Sequence, residues 1–265
     1  MPVDDLFLGQ QLAGVDGLSI VVDELPDVSP IWHGCGTNYR APGEEAGMSE
    51  VRIDWTPVGE WDKEVYRDYL APVVFEENGE RRAELAHFSF VPGPFIPPAV
   101  KGMTTMNARA ETIGQKANYK RFWLAGQRAL IPATWFYEPK WTSDDKSQER
   151  WRIGLASGEP FAIAGMWRTW LAPDGGLIYA MTMITVNADE HPFLNQFHRH
   201  FDKKGNPEEK RSLVIIRPAD YDAWFNVKEP EEARQFFTLL PADELHAEPA
   251  PKPRKAHGDE MAQLL

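Results

Sequence analysis

Between Tyr69 and Pro218 the apolar residues come in short runs, each closed by a turn signal, and this punctuation restricts the fold more than any other feature. Runs this short suit strands better than ordinary helices. "YLAPVVFEENGERRAELAHFSF" carries Asn78-Gly79 at its centre and predicts a hairpin, and Pro92-Gly93 marks the next turn. "RALIPATWFYEP", "RWRIGLA", "PFAIAGMWRTWL", "LIYAMTMITVNA" and "RSLVIIRP" read as further strands. In "FAIAGMW" the bulky residues Phe161, Ile163 and Trp167 share one parity with Gly165 between them, the pattern of a strand lying against a core. Helical patterns are fewer. "ANYKRFWLAGQ" and "PADYDAWF" are the clearest, the second with Pro218 near its start, and "EPEEARQFFTLL" follows with glutamates in its first turn. The sum is an α+β, predominantly β domain: a curved or barrel-like antiparallel sheet with peripheral helices.

Three regions divide the 265 residues. Residues 1–34 form an acidic leader that reads as loosely packed, although "LSIVVDEL" can add a strand. Residues 35–240 hold the main folded domain, opening with a loop-rich stretch to about residue 64. Residues 241–265 are rich in Pro, Ala and charge, the composition of a disordered tail. No apolar run is long enough to cross a bilayer, and the first residues lack a basic segment followed by an apolar block. The expectation is a cytoplasmic monomer with no membrane contact. Cys35 is the single cysteine, which excludes an internal disulfide framework and a multi-cysteine zinc site.

A net charge of −12 argues at first against a nucleic-acid partner, but the charge is unevenly spread. Residues 1–80 carry 17 acidic and 4 basic side chains, whereas residues 101–128 carry six basic and one acidic. A local basic surface can hold an anion that the chain as a whole repels.

Five places set polar residues in apolar surroundings: "HGCGTNYR", "TMNARAET", "ATWFYEPKW", "MITVNADEHP" and "NQFHRHF". They contribute Cys35, Asn107, Arg109, Glu111, Glu138, Thr185, Asn187 and His198. Each has an ordinary reading. A lone cysteine is usually a small buried hydrophobe, Asn107 suits an Asx turn, Arg109 with Glu111 makes a surface ion pair, and Glu138 ends a strand. Trp135 and Tyr137 read as packing residues.

The order of the blocks adds what no single one supplies. "MNARAET", "RALIPATWFYEP", "FAIAGMWR" and "MTMITVNADEHP", followed by a histidine and "RSLVII", resemble the SOS-response-associated peptidase family, also called abasic-site processing proteins. The resemblance spans roughly residues 35 to 225. In that family a cysteine becomes the first residue, and "CGTNYRAP" from Cys35 is similar to that start. The resemblance implies Cys35, Asn107, Glu138 and His198 as catalytic residues. It implies Arg109 and Arg211 as phosphate contacts, with Thr185 beside them, and it implies no metal, nucleotide or organic cofactor.

The chemistry accounts for these residue types. An abasic site in single-stranded DNA exists partly as an aldehyde. An N-terminal cysteine offers an amine with a pKa of about 8 and a thiol with a pKa of about 8.5 on neighbouring carbons, and together they close a thiazolidine ring. An internal cysteine has only the thiol. The proton transfers call for a carboxyl group and an imidazole, here Glu138 and His198, with Asn107 orienting the amine or the sugar oxygens. The lesion lacks a base, so phosphate contacts matter more than base readout, and Phe95 suits stacking on a flanking base.

One departure is informative. Gly34 precedes Cys35, so this chemistry requires the Gly34-Cys35 bond to be cut, and attack of the Cys35 thiol on the Gly34 carbonyl is the self-processing route. Removal of residues 1–34 takes away six negative charges and moves the net charge from −12 to −6. Two other readings stay open: a conventional cysteine peptidase using Cys35, His198 and Asn107, and a non-catalytic DNA-binding module that keeps its leader.

Overall fold

The computed structural model describes residues 19–21, 61–62, 64–100, 102–141, 148–197 and 204–251. The first hairpin forms where the sequence places it. β3 (Leu70–Glu77) and β4 (Glu80–Phe88) pair antiparallel across Asn78 and Gly79, whose φ values of 56° and 81° are the left-handed pair of a tight hairpin turn. Before them come β1 (Ser19–Val21) and β2 (Glu64–Val65). After them come β5 (Asn107–Arg109), β6 (Arg128–Ala133), β7 (Trp135–Trp141), β8 (Gln148–Leu155), β9 (Phe161–Leu171) and β10 (Leu177–Asn187).

β4, β3, β6 and β9 join in turn by antiparallel pairing, and β10 pairs with β9 on one side and β4 on the other. The five strands therefore close into a barrel with no free edge between them. The barrel is antiparallel except at β10, where β4 and β5 both pair in parallel. β11 (Arg211–Leu213) and β12 (Ile215–Ile216) extend it, pairing with β10 and β9.

The barrel interior holds Phe75, Phe88, Ile131, Ile163, Trp167, Met181 and Met183. Phe75 and Trp167 stack with ring centroids 3.9 Å apart. Phe161, Ile163 and Trp167 all face this interior, whereas Ala162, Ala164 and Met166 face outward, as their alternation requires. At Gly165 the packing leaves no room for a side chain. A Cβ there would lie 2.7 Å from Ile131 Cδ1 and 2.8 Å from the Thr182 carbonyl oxygen.

A second apolar cluster, including Trp123, Trp224, Phe90 and Ile184, packs the outer wall under α1 (Lys120–Leu124) and α2 (Tyr221–Asn226). Both helices are short. α2 is fixed by Arg128, a buried basic residue on the outward side of β6, opposite Met166. Its guanidinium donates to the carbonyls of Trp224 at 2.7 Å, Phe225 at 3.1 Å and Val227 at 2.5 Å, satisfying groups that a helix end leaves open. The segment that begins at Pro230 is a 3-10 helix through Phe236.

The second sheet has the order β13-β8-β7-β1-β2, with β13 spanning Leu245–Pro249. Its Phe136, Ile153 and Leu245 belong to the same apolar cluster as the barrel interior, so the sheet covers that core. β1, from the acidic leader, inserts between β7 and β2. β13 lies where composition suggests no fixed structure. Leu245 is buried opposite Leu155, and Glu248 pairs with Arg152, so local burial and charge pairing prevail over the Pro- and Ala-rich average. Among the described residues no helix is long and apolar enough to cross a membrane.

Candidate functional site

Parallel pairing of β5 with β10 sets Asn107 opposite Met183 and Arg109 opposite Thr185. Facing residues in a sheet point to the same side, so Asn107 turns with Met183 toward the interior cluster, and Ala108 turns outward with Ile184. Asn107 Oδ1 is buried and has no hydrogen-bond partner among the described residues. An unpaired buried carbonyl is costly, and such atoms mark places that a ligand or a solvent molecule completes. The backbone at Asn107 is held from the other side: the Tyr119 hydroxyl donates to its carbonyl oxygen at 3.1 Å. Burial pushes the Tyr119 phenol well above its usual range, so it remains a donor throughout the neutral range.

Glu138 reaches the same interior from the second sheet. It follows Phe136 by two residues on β7, sharing its face, and is 3% exposed. Its cross-strand neighbour is Trp151, which packs against the interior cluster. Lys140, next on that face, lies 4.2 Å from the Trp151 ring centroid and forms an isolated bridge with Phe197. Phe197, the last described residue before position 198, is buried in the same cluster. The opposite face of β7 carries Trp135 and Tyr137, each beneath an arginine: Arg152 at 4.4 Å and Arg150 at 3.3 Å from the ring centroids.

The two expected phosphate contacts differ. Arg211 is buried and saturated. Its Nε donates to Thr185 Oγ1 at 3.1 Å, one terminal nitrogen donates to Glu111 at 2.8 Å and to the Thr185 carbonyl at 2.6 Å, and the other donates to Glu209 at 2.5 Å. Arg109 is 39% exposed at its side chain and among the described residues has a single ionic contact, Glu209 at 3.6 Å. The surface pair expected between Arg109 and Glu111 is not what forms. Antiparallel β11 brings Arg211 across to Glu111, and Arg109 shares Glu209 with it. Phe95 is half-buried and stacks on Trp170, centroids 4.6 Å apart, so one of its faces is occupied.

The structure thus gathers Asn107, Arg109, Thr185 and Arg211 at one end of β10 and turns Glu138 toward the interior that Asn107 also faces. Cys35 and His198 lie outside the described residues. Tyr119 and Glu209 escaped sequence reasoning. Tyr119 sits in an apolar helical pattern that signals only packing, and Glu209 acquires its partners from strands far away in the chain.

Residues 52–253 match the model of the SOS response associated peptidase (SRAP) family. The chain is 33% identical over 152 residues to the abasic site processing protein YobE of Bacillus subtilis, covering 56% of this chain and 63% of that protein. It is 34% identical over 152 residues to YoaM of the same organism, named likewise, covering 56% and 60%. It therefore spans less than two thirds of the length of these relatives. Among solved structures, a Bordetella bronchiseptica protein superposes with a TM-score of 0.63 at 28% identity, covering 73% of this chain and 90% of that one. A Bacteroides thetaiotaomicron protein superposes with a TM-score of 0.57 at 15% identity, covering 74% and 80%, which shows a shared fold.

Proposed function

Because the chain belongs to the SOS response associated peptidase family, we propose that it processes abasic sites in single-stranded DNA by capping them covalently through Cys35. The observation that supports this reading is that Asn107 and Glu138, on two different sheets, each face the shared apolar cluster, with the partly exposed cation of Arg109 two residues along β5 from Asn107. The name shared by the Bacillus relatives, abasic site processing protein, supports the same substrate class.

The reaction balances without any added oxidant or metal. The Cys35 α-amine adds to the lesion's C1 aldehyde, and loss of one water leaves an imine. The thiolate then adds to the imine carbon and the nitrogen takes a proton, so aldehyde and aminothiol become a thiazolidine and one water. Glu138, in an apolar setting, donates the proton that carries water away and serves as base for the thiol. His198 moves the proton of the sugar hydroxyl as the ring opens. Asn107 uses its unpaired Oδ1 to orient the amine, and Arg109 holds a neighbouring phosphate. Arg211 acts behind it by fixing Thr185 and Glu209 in place.

The amine becomes available when the Cys35 thiol attacks the Gly34 carbonyl. An acyl shift transfers the leader to sulfur and frees the amine, and water then hydrolyses the thioester to a Gly34 carboxylate and a free thiol. A lone thiol with this task must stay reduced, which fits a reducing, cytoplasmic setting. Incubation with a single-stranded oligonucleotide carrying one abasic site, followed by denaturing electrophoresis, tests the reading. A heat-stable adduct is expected, absent from Cys35→Ala. Cleavage of an unrelated peptide without any DNA adduct would favour the cysteine-peptidase reading instead.

A further inference from the structure

The chain that leaves β10 and turns back toward Glu138 is held by a histidine that the capping chemistry does not use. His191 lies between β10 and a short 3-10 helix, Leu194–Gln196. Its Nδ1 accepts from the backbone N–H of Phe193 at 3.2 Å and of Leu194 at 3.0 Å. Its Nε2 lies 2.8 Å from the Leu240 carbonyl oxygen. A ring nitrogen that accepts carries no proton, and a carbonyl oxygen only accepts, so the proton sits on Nε2 and is donated to Leu240. The imidazole is therefore neutral, held in one tautomer, and it joins two chain segments 49 residues apart.

The turn needs such an acceptor. The first N–H groups of a helical turn have no partner within it, and Phe193, which opens this one, supplies no side-chain cap. His191 supplies it instead. The other side of the turn is held by Lys210, whose ammonium donates to the Asn195 carbonyl and whose backbone N–H donates to Asp189 at 3.0 Å. Leu194, Phe197 and Leu240 are all buried in the interior cluster, so the ring is fixed where two chain segments enter that cluster. Phe197 then closes on the Glu138 side of β7. It bridges to Lys140, two residues beyond Glu138 on the same face. Its ring centroid lies 6.0 Å from that of Trp151, the cross-strand neighbour of Glu138. His198 follows Phe197 directly in the chain.

We propose that His191 is a positioning residue for the Glu138 side of the candidate site: as a neutral, Nε2-protonated ring it locks the Leu194–Phe197 turn, and Phe197 keeps the apolar wall beside Glu138 closed to water. The proposal rests on the abasic-site reading for the reaction that Glu138 serves. A carboxyl group that gives and takes a proton in an apolar setting depends on that setting staying dry. His191 acts on it through Phe197 and Trp151.

The test compares His191→Phe, which keeps a ring and loses both bonds, with His191→Asn, whose side-chain oxygen still accepts from N–H groups just ahead in the chain. In single-turnover reactions at saturating abasic oligonucleotide, His191→Phe is expected to slow adduct formation by up to about 10²-fold, the cost of a slightly misplaced group, with single-strand affinity unchanged. His191→Asn should recover most of the rate. In a Glu138→Gln background His191→Phe should add little further slowing, whereas a purely structural role slows both backgrounds alike. Equal slowing in both backgrounds, or a wild-type rate in His191→Phe, would overturn the proposal. Nitrogen NMR and amide exchange read the clamp without any reaction. Nδ1 should carry no proton in wild type, the Phe193 and Leu194 amides should exchange faster in His191→Phe but not in His191→Asn, and the Trp151 indole signal should move in His191→Phe. If the wild-type chain forms no adduct while these signals behave so, the capping chemistry fails and the clamp stands. A protonated Nδ1, or unchanged exchange in His191→Phe, overturns the clamp itself.

Discussion

Arg211 and Glu111 lie a hundred residues apart in sequence and meet at 2.8 and 3.1 Å across the end of β10, where the same guanidinium also binds Thr185 and Glu209. The pair divides the labour of the two arginines. Arg211 holds the strand ends together, and Arg109 keeps its charge toward solvent.

Replacement of the two arginines should therefore separate stability from binding. Arg211→Ala removes charge-assisted hydrogen bonds whose carboxylate partners stay partly solvated, so it should cost about 1–3 kcal/mol in urea unfolding. Arg109→Ala should leave the unfolding midpoint in place and lower the salt slope of single-strand affinity by about 0.7.

Glu138→Gln preserves the shape of the buried group and removes its proton transfer. Adduct formation should slow by about 10²- to 10⁴-fold with DNA affinity intact, read from single-turnover rates against anisotropy. Equal rates for Glu138→Gln and wild type would remove Glu138 from the chemistry.

Much of the fold is legible from local pattern, and much of the site is not. Phe161, Ile163 and Trp167 announce the inward face of β9 because a strand's side chains alternate, and Asn78-Gly79 announces its hairpin because few other pairs take two left-handed positions. The parallel insertion of β5 beside β10 has no local signal, since its register is set by strands brought together only in three dimensions. For the same reason Glu111 finds Arg211 and not Arg109, and the tail strand β13 forms from one buried leucine and one ion pair within a segment whose average composition points to disorder.

Gly165→Ala should destabilise the barrel by about 1–3 kcal/mol, because a Cβ would collide with Ile131 and the Thr182 carbonyl. Chemical denaturation should show a lower midpoint with an unchanged slope, the mark of a packing defect in an otherwise intact fold.

Alkaline pH should loosen the wall behind Asn107. Burial raises the phenols of Tyr119 and Tyr221 above the ordinary value of 10.0, so the unfolded chain releases these protons first. The stability tied to their burial is fully present below pH 10.0 and falls as pH rises from there toward the folded-state values. Tyr119→Phe should flatten that decline, while losing the hydrogen bond to Asn107 should cost about 1 kcal/mol at neutral pH. Thermal melts between neutral and alkaline pH measure both.

Whether Cys35 acts as an N-terminal residue is read from intact-mass spectrometry of the purified chain, before and after incubation with an abasic single-stranded oligonucleotide. The expected result is a chain beginning at Cys35 that gains the mass of the oligonucleotide less one water. A full-length chain that keeps residues 1–34 and gains no mass would contradict it.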